Sequence, residues 1–250
     1  MDKTLNPKVV LVAITKHGCH QVAGMAANMP ETDVVVAQKF IDLVSGIPNN
    51  VKPYEGALRD QIPVLFEAYD QIVFFVSLGA VVRLIAPHLK SKDEDPGVLV
   101  VDDAGQFVIP VLSGHVGGAN AYAEKVASVI GAVPVVTTAS DVGKTIPVDI
   151  LGRELGWKVE APKINITRVS AHVVNEEPIA LVQECGAKNW WTRKTPLPKN
   201  IHLFERFEDV DASKYSALLW ITQRTIDDDV WQRFDERLVV YRPPQGQEAE

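Results

Sequence analysis

The residue types able to do chemistry gather in one stretch, Pro110-Val111-Leu112-Ser113-Gly114-His115-Val116-Gly117-Gly118-Ala119-Asn120. His115 is its one titratable side chain, and an imidazole with an unperturbed pKa of ~6.5 suits proton transfer near neutrality. Ser113 adds a hydroxyl, but its neighbours lack the Gly-x-Ser-x-Gly elbow of a covalent nucleophile. Gly114, Gly117 and Gly118 permit positive φ and close backbone approach, so the first N–H groups of a following helix can point at an oxyanion. The competing reading is a tight turn whose glycines only allow close packing. A second polar set, Thr137-Thr138-Ala139-Ser140-Asp141, lies at the carboxyl end of a strand, where an α/β site draws its second set of ligands.

These groups need elements to hold them. The glycine loop joins a short apolar strand (Phe107, Val108, Ile109) to a helix from Ala119 to Ile130, and ligand sites of open α/β sheets lie at such strand-to-helix junctions. Ile72 to Ser77 and Val98 to Val101 are continuous apolar strands, as in a parallel sheet covered on both faces. Gly105 marks a hairpin turn into Phe107, and Val133 to Thr137 is a further strand with the polar set at its carboxyl end. Between Gly79 and Pro87 a helix carries Arg83, which is either a surface residue or a guanidinium suited to bidentate carboxylate recognition. The charged run from Lys90 to Pro96, with Lys92, reads as a solvated loop. Near the start, Val9 to Thr15 is a strand followed by a helix through Met29. His17, Cys19 and His20 sit together there, but their spacing matches no common zinc signature. Val34 to Ala37 is a short strand, Pro48 to Tyr54 a polar loop, and Leu58 to Tyr69 a helical repeat.

Composition bounds the rest. The chain has 250 residues, 46% of them hydrophobic, enough for a real core in one large or two modest domains. A formal charge of −7 argues against a nucleic-acid surface, so any anionic ligand is held locally. No apolar run approaches the ~20 residues of a membrane span, and Met1 to Pro7 lacks a signal-peptide core, which implies a cytoplasmic protein without a membrane partner. Two distant cysteines make no disulfide framework.

The expected fold class is α/β. Residues 1–156 form a three-layer α/β/α domain with a mostly parallel sheet, and residues 157–250 a smaller mixed α/β domain. The second carries strands at Trp157–Val159, Ile179–Val182, Ile201–Phe204, Leu218–Thr222 and Leu238–Tyr241, with a helix from Ile164 to Val174. Trp190-Trp191, flanked by Lys188, Arg193 and Lys194, either stacks on a flat ligand or anchors its own loop; the second use is the commoner. Trp231 and Phe234 on a late helix either pack inward or face a partner. Gln245 to Glu250 reads as a frayed tail.

In order, Gly79-Ala80-Val81-Val82-Arg83-Leu84-Ile85-Ala86-Pro87, Lys92 with Asp95-Pro96, Val101-Asp102 with Gly105, Ser113-Gly114-His115 with Gly117-Gly118-Ala119-Asn120, and Thr137 to Asp141 resemble the amino-terminal signature of the cobalt-precorrin-5A hydrolases, the cobalamin-biosynthesis G proteins. The match continues more loosely to Arg242-Pro243-Pro244. Family members commonly pass from there into a carboxy-terminal domain, and this chain ends six residues later. The resemblance thus implies a separate carboxy-terminal-domain protein in trans, or a homo-oligomer, as partner. It implies a cobalt corrinoid substrate whose δ-lactone is opened by water with release of acetaldehyde, and no cofactor or metal of the protein's own, since the substrate carries the cobalt. His115 is then the candidate base, with loop stabiliser or axial cobalt ligand as competing roles. Asp141 and Ser113 are its catalytic company. Gly79, Arg83, Lys92, Gly114, Gly117, Gly118, Asn120, Thr137 and Thr138 are candidate substrate-binding residues. The alternative function is a non-catalytic corrinoid-binding subunit. A nucleotide site lacks support, since neither Gly-x-x-x-x-Gly-Lys-Ser/Thr nor Gly-x-Gly-x-x-Gly occurs.

Overall fold

The computed structural model describes residues 7–246, which form two compact units, one ending at Val136 and the other beginning at Thr137. Residues 1–6, part of the segment without a signal-peptide core, and 247–250, most of the expected tail, lie outside the described residues.

In the first unit strand β1 (Val9–Ala13) leads into helix α1 (Lys16–Ala26). Then come β2 (Asp33–Ala37), β3 (Asn50–Tyr54), α2 (Ile62–Ala68), β4 (Gln71–Phe75), α3 (Leu78–Ile85), β5 (Gly97–Val101), β6 (Phe107–Leu112), α4 (Ala119–Ile130) and β7 (Val133–Pro134). They build a seven-stranded sheet ordered β3-β2-β1-β4-β5-β6-β7. Neighbours run parallel except β5 and β6.

Strands β1, β4 and β5 are buried at every residue. Because successive side chains alternate across a strand, Leu11, Val73 and Leu99 meet α1 and α4 on one face, while Val10, Ile72 and Val98 meet α2 and α3 on the other. This is the expected three-layer α/β/α arrangement. Helix α1 starts where the Thr15 hydroxyl accepts the Gly18 N–H at 2.9 Å, a side-chain N-cap.

Residues 50–54, read from sequence as polar loop, form β3. Its polar residues and Pro53 hide the strand, but among the described residues β3 pairs only with β2 and lies at the sheet edge, where a proline costs no ladder bond. The hairpin at Gly105 is present. Asp102 accepts N–H groups from Ala104 (3.1 Å) and Phe107 (2.6 Å), and Gly105 has φ 65°. The turn sends β6 back antiparallel, with Val101 opposite Val108 and Val98 opposite Leu112. The carboxyl end of β6 therefore lies beside the amino ends of β4 and β5.

The second unit holds α5 (Ala139–Val142), β8 (Lys158–Glu160), α6 (Lys163–Val174), β9 (Ile179–Gln183), β10 (Ile201–Phe204), β11 (Ala217–Ile221), α7 (Asp228–Phe234) and β12 (Leu238–Arg242). Its sheet runs β10-β9-β11-β12-β8, parallel except for edge strand β8. The sequence places the break between residues 156 and 157; the compact units part earlier because Ile146, Val148 and Leu151 pack with Trp157, Val169 and Tyr241. Tyr241 also donates its hydroxyl to the Val148 carbonyl at 2.8 Å. Phe234 is buried against Phe207 and Trp220, the inward use of that helix. Among the described residues no helix is long and apolar enough to cross a membrane.

Candidate functional site

The glycine loop folds on itself. Ala119 N–H donates to the Ser113 carbonyl (3.2 Å), Asn120 N–H to Gly114 (3.0 Å) and Gly118 N–H to His115 (2.9 Å). These three donors, which the sequence offers to an oxyanion, are thus taken by the loop's own carbonyls. Of the three glycines only Gly118 has positive φ, at 80°. A Cβ on Gly114 would stand 2.6 Å from Asn120 Oδ1, and one on Gly117 2.7 Å from the Ser113 carbonyl, so close packing is what these two glycines allow. Ser113 itself sits at φ 55°, unusual for a side-chain-bearing residue, and its hydroxyl donates to the Asp95 carbonyl at 3.0 Å. That bond makes Ser113 a brace of the loop. Beneath the loop, the Gln71 side-chain amide donates to the Gly117 carbonyl. His115 is half-buried on this frame.

Because β6 is reversed, the loop stands at the amino edge of the parallel strands, opposite to the edge where open α/β sheets usually place ligands. Lys92 shares that edge. It is exposed on the turn before β5, while Asp95 is buried with its carboxylate accepting the Lys90 N–H at 3.0 and 3.1 Å. Gly79 opens α3 at the other edge, and Arg83, also exposed, folds back to donate to the Gly79 carbonyl at 3.0 Å. The structure therefore gathers Ser113 to Asn120 with Lys92 and sets Gly79 apart from them.

At the carboxyl edge His17 Nδ1 lies 3.1 Å from Asp103 Oδ2, and Gln21 donates to the Asp103 carbonyl at 2.8 Å. A shallow cavity of about 310 Å³ there is lined by His20, Gln21, Phe75 and Val101 among others. Cys19 is buried, and burial pushes its thiol pKa up. Among the described residues no group of three or more His, Cys, Asp or Glu is placed to hold a metal ion.

In the second unit Thr137 and Thr138 lead into the one-turn helix α5, where the Thr138 carbonyl accepts N–H groups from Asp141 and Val142, both at 3.0 Å. Asp141 Oδ1 meets Arg193 Nη2 at 2.8 Å, and the same nitrogen approaches the Ser140 carbonyl at 3.5 Å. The loop bearing Arg193 is anchored by its aromatic pair: Trp190 Nε1 donates to Gln183 Oε1 (2.9 Å) and Trp191 Nε1 to the Thr195 carbonyl (2.6 Å). With both indole N–H groups bonded inside the unit, the anchoring use of Trp190-Trp191 is the one observed.

Sequence reasoning missed Gln71 and Arg193 as parts of these constellations. Gln71 leaves a trace, a polar residue opening an apolar strand. Arg193 leaves none that points to Asp141.

Residues 60–141 match the family model described as Cobalamin synthesis G N-terminal, and residues 146–243 the one described as Cobalamin biosynthesis central region. The chain is 45% identical over 234 residues to a cobalt-precorrin-5A hydrolase of Priestia megaterium, which covers 93% of this chain and 62% of that protein. It is 30% identical over 189 residues to the cobalt-precorrin-5A hydrolase of Salmonella typhimurium, covering 75% of this chain and 50% of the relative. A solved structure described as a cobalamin biosynthesis protein G homolog from Sulfolobus solfataricus aligns over 94% of this chain and 60% of that one, with TM-score 0.48 and 20% identity. The chain thus spans less than two thirds of the length of each of these relatives. Through its two matched regions the chain belongs to the cobalamin synthesis G family, of which it carries the amino-terminal and central domains.

Proposed function

We propose that the protein works in corrin-ring biosynthesis as a hydrolase, opening the δ-lactone of cobalt-precorrin-5A with water and releasing acetaldehyde to give cobalt-precorrin-5B. The observation that carries this reading is the 45% identity to the Priestia megaterium cobalt-precorrin-5A hydrolase over 93% of the chain. The internally braced His115 loop, inside the amino-terminal family match, supports it.

Such a reaction needs a base for water, or for the hydroxyl that ring opening creates, and an electron sink when the carbon–carbon bond breaks. The conjugated macrocycle of the substrate, with its cobalt, is the sink. His115 is the base, held on a turn whose backbone is internally bonded. Asp141 is the second proton-handling or water-orienting group, steadied by Arg193. Ser113 acts through the loop it braces. Lys92 is a cation for peripheral carboxylates on the same edge as the loop, with Gly114, Gly117, Gly118 and Asn120 as neighbouring contacts, while Arg83 and Gly79 at the other edge and Thr137 and Thr138 in the second unit are separate candidate contacts.

The test is incubation of the purified protein with cobalt-precorrin-5A and assay of acetaldehyde. Corrinoid bound without acetaldehyde would favour a binding subunit instead.

A further inference from the structure

Gln71 opens β4, whose other residues are Ile72, Val73, Phe74 and Phe75, and the whole strand is buried. Its own exposure is 1%, and among the described residues its Oε1 has no hydrogen-bond partner. A buried carboxamide with an unmet acceptor is costly, and an apolar residue of equal bulk would fill the volume without that cost. The neighbouring strand makes room for it. Gly97 pairs with Gln71 in register, and a Cβ on Gly97 would overlap the Gln71 side chain. Two positions of the central sheet are thus committed to bringing one amide N–H beneath the Gly117 carbonyl.

What that bond fixes is the peptide between two glycines. A Gly-Gly peptide turns easily because neither residue has a Cβ to bias it. With the Gly117 carbonyl held from below and the Gly118 N–H closed onto the His115 carbonyl at 2.9 Å, the turn from His115 to Gly118 has both ends tied. Ser113 fills the space beside Gly117 and is itself bonded to Asp95.

We propose that Gln71 is a positioning residue for the reaction, whose side-chain N–H holds the Gly117 carbonyl and so fixes the turn that carries the His115 imidazole. This rests on His115 being the base. Gln71 acts through the loop, so its loss slows the chemical step and leaves substrate affinity nearly as it was.

The experiment compares Gln71→Leu, Gln71→Met and Gln71→Glu with the unaltered chain. Leu and Met keep the bulk and remove the donor; Glu restores a donor only while its carboxyl is protonated. Folding is followed by circular dichroism and thermal melting, kcat and KM by acetaldehyde release, and the His115 ring by NMR, its signals assigned through their loss in His115→Ala. The expected result is folded Leu and Met variants with kcat lowered about tenfold, KM within about twofold, and a displaced or broadened His115 signal. In the Glu variant kcat should fall as pH rises through the ionisation of Glu at 71, while the dichroism stays native. Wild-type kcat in the folded Leu and Met variants overturns the proposal, as does a failure of all three variants to fold, which would make Gln71 a purely structural residue. If the unaltered chain releases no acetaldehyde, the hydrolase reading fails on its own, and the NMR comparison still decides: an unmoved His115 signal in Gln71→Leu overturns the positioning role.

Discussion

Arg193 meets Asp141 at 2.8 Å across 52 positions of sequence, and so ties the last residue of the amino-terminal family match to the central match inside one compact unit. The two side chains keep 27% and 26% exposure, so the pair contributes little to stability, at most about 1 kcal/mol. Its expected effect is on orientation. Arg193→Ala should lower turnover about tenfold with a small change in melting temperature, and Arg193→Lys should recover only part, since an ammonium lacks the planar fork. In a double-mutant cycle, Arg193→Ala should cost little more once Asp141→Asn is present. Additive losses in kcat/KM would show that Arg193 acts elsewhere.

His115→Ala and His115→Asn should fold normally and lose roughly 100-fold or more in turnover, the size of a missing general base. The measurement is acetaldehyde release at saturating corrinoid together with melting temperature. Full activity in both variants removes His115 from the chemistry.

Gly118 holds φ 80°, where alanine destabilises by about 1 kcal/mol, and Gly117 has no room for a Cβ beside Ser113. The double change Gly117→Val with Gly118→Val should therefore displace the loop and weaken corrinoid binding while the sheet still forms. Equilibrium titration of the folded variant decides; unchanged affinity would mean that the ligand does not use the loop.

Acid stability should depend on Asp33. Partial burial raises its pKa, but hydrogen bonds from Lys52 (2.7 Å), Tyr69 (2.5 Å) and Asn50 (3.0 Å) outweigh this and hold the carboxyl below the usual range. A depressed folded pKa contributes stability that is complete above the unfolded value near ~4 and is lost as pH falls through the folded one. Asp33→Asn should flatten the stability curve below about pH 4 and leave its shape unchanged near pH 7. Denaturant melts at pH 3, 4 and 7 test this, and parallel curves for the two proteins would contradict it.

A fragment ending at Val136 should be better behaved than one ending at Gly156. The longer piece carries Ile146, Val148 and Leu151 away from the core that buries them. Dye binding and gel filtration of the two fragments should show more exposed apolar surface in the longer one. The opposite order would place those residues with the first unit.

Much of this architecture is legible in the chain. The apolar runs around Ile72 and Val98 announce a covered parallel sheet, and Gly105 announces the hairpin, because burial and turn chemistry are local properties. Strand β3 is hidden because an edge strand needs fewer apolar residues. The division at Val136 is hidden too, since Ile146 to Leu151 looks like any apolar connection until its packing is seen. At the site, the glycine pattern locates the loop, but the partners of its N–H groups depend on how eight residues curl. The edge of the sheet it occupies depends on one reversed strand. Gln71 and Arg193 act over 46 and 52 positions, a range at which residue type carries no address.

The reversal of β6 also gives the molecule an internal ruler. Asp103, 78% exposed at the carboxyl edge, and His115 at the amino edge stand a strand length apart, ~17 Å, though only twelve positions separate them. A fluorophore carried at position 103 would stand clear of anything seated on the loop yet within range of energy transfer to a coloured macrocycle. Occupancy of the loop can then be read optically from the opposite edge of the sheet.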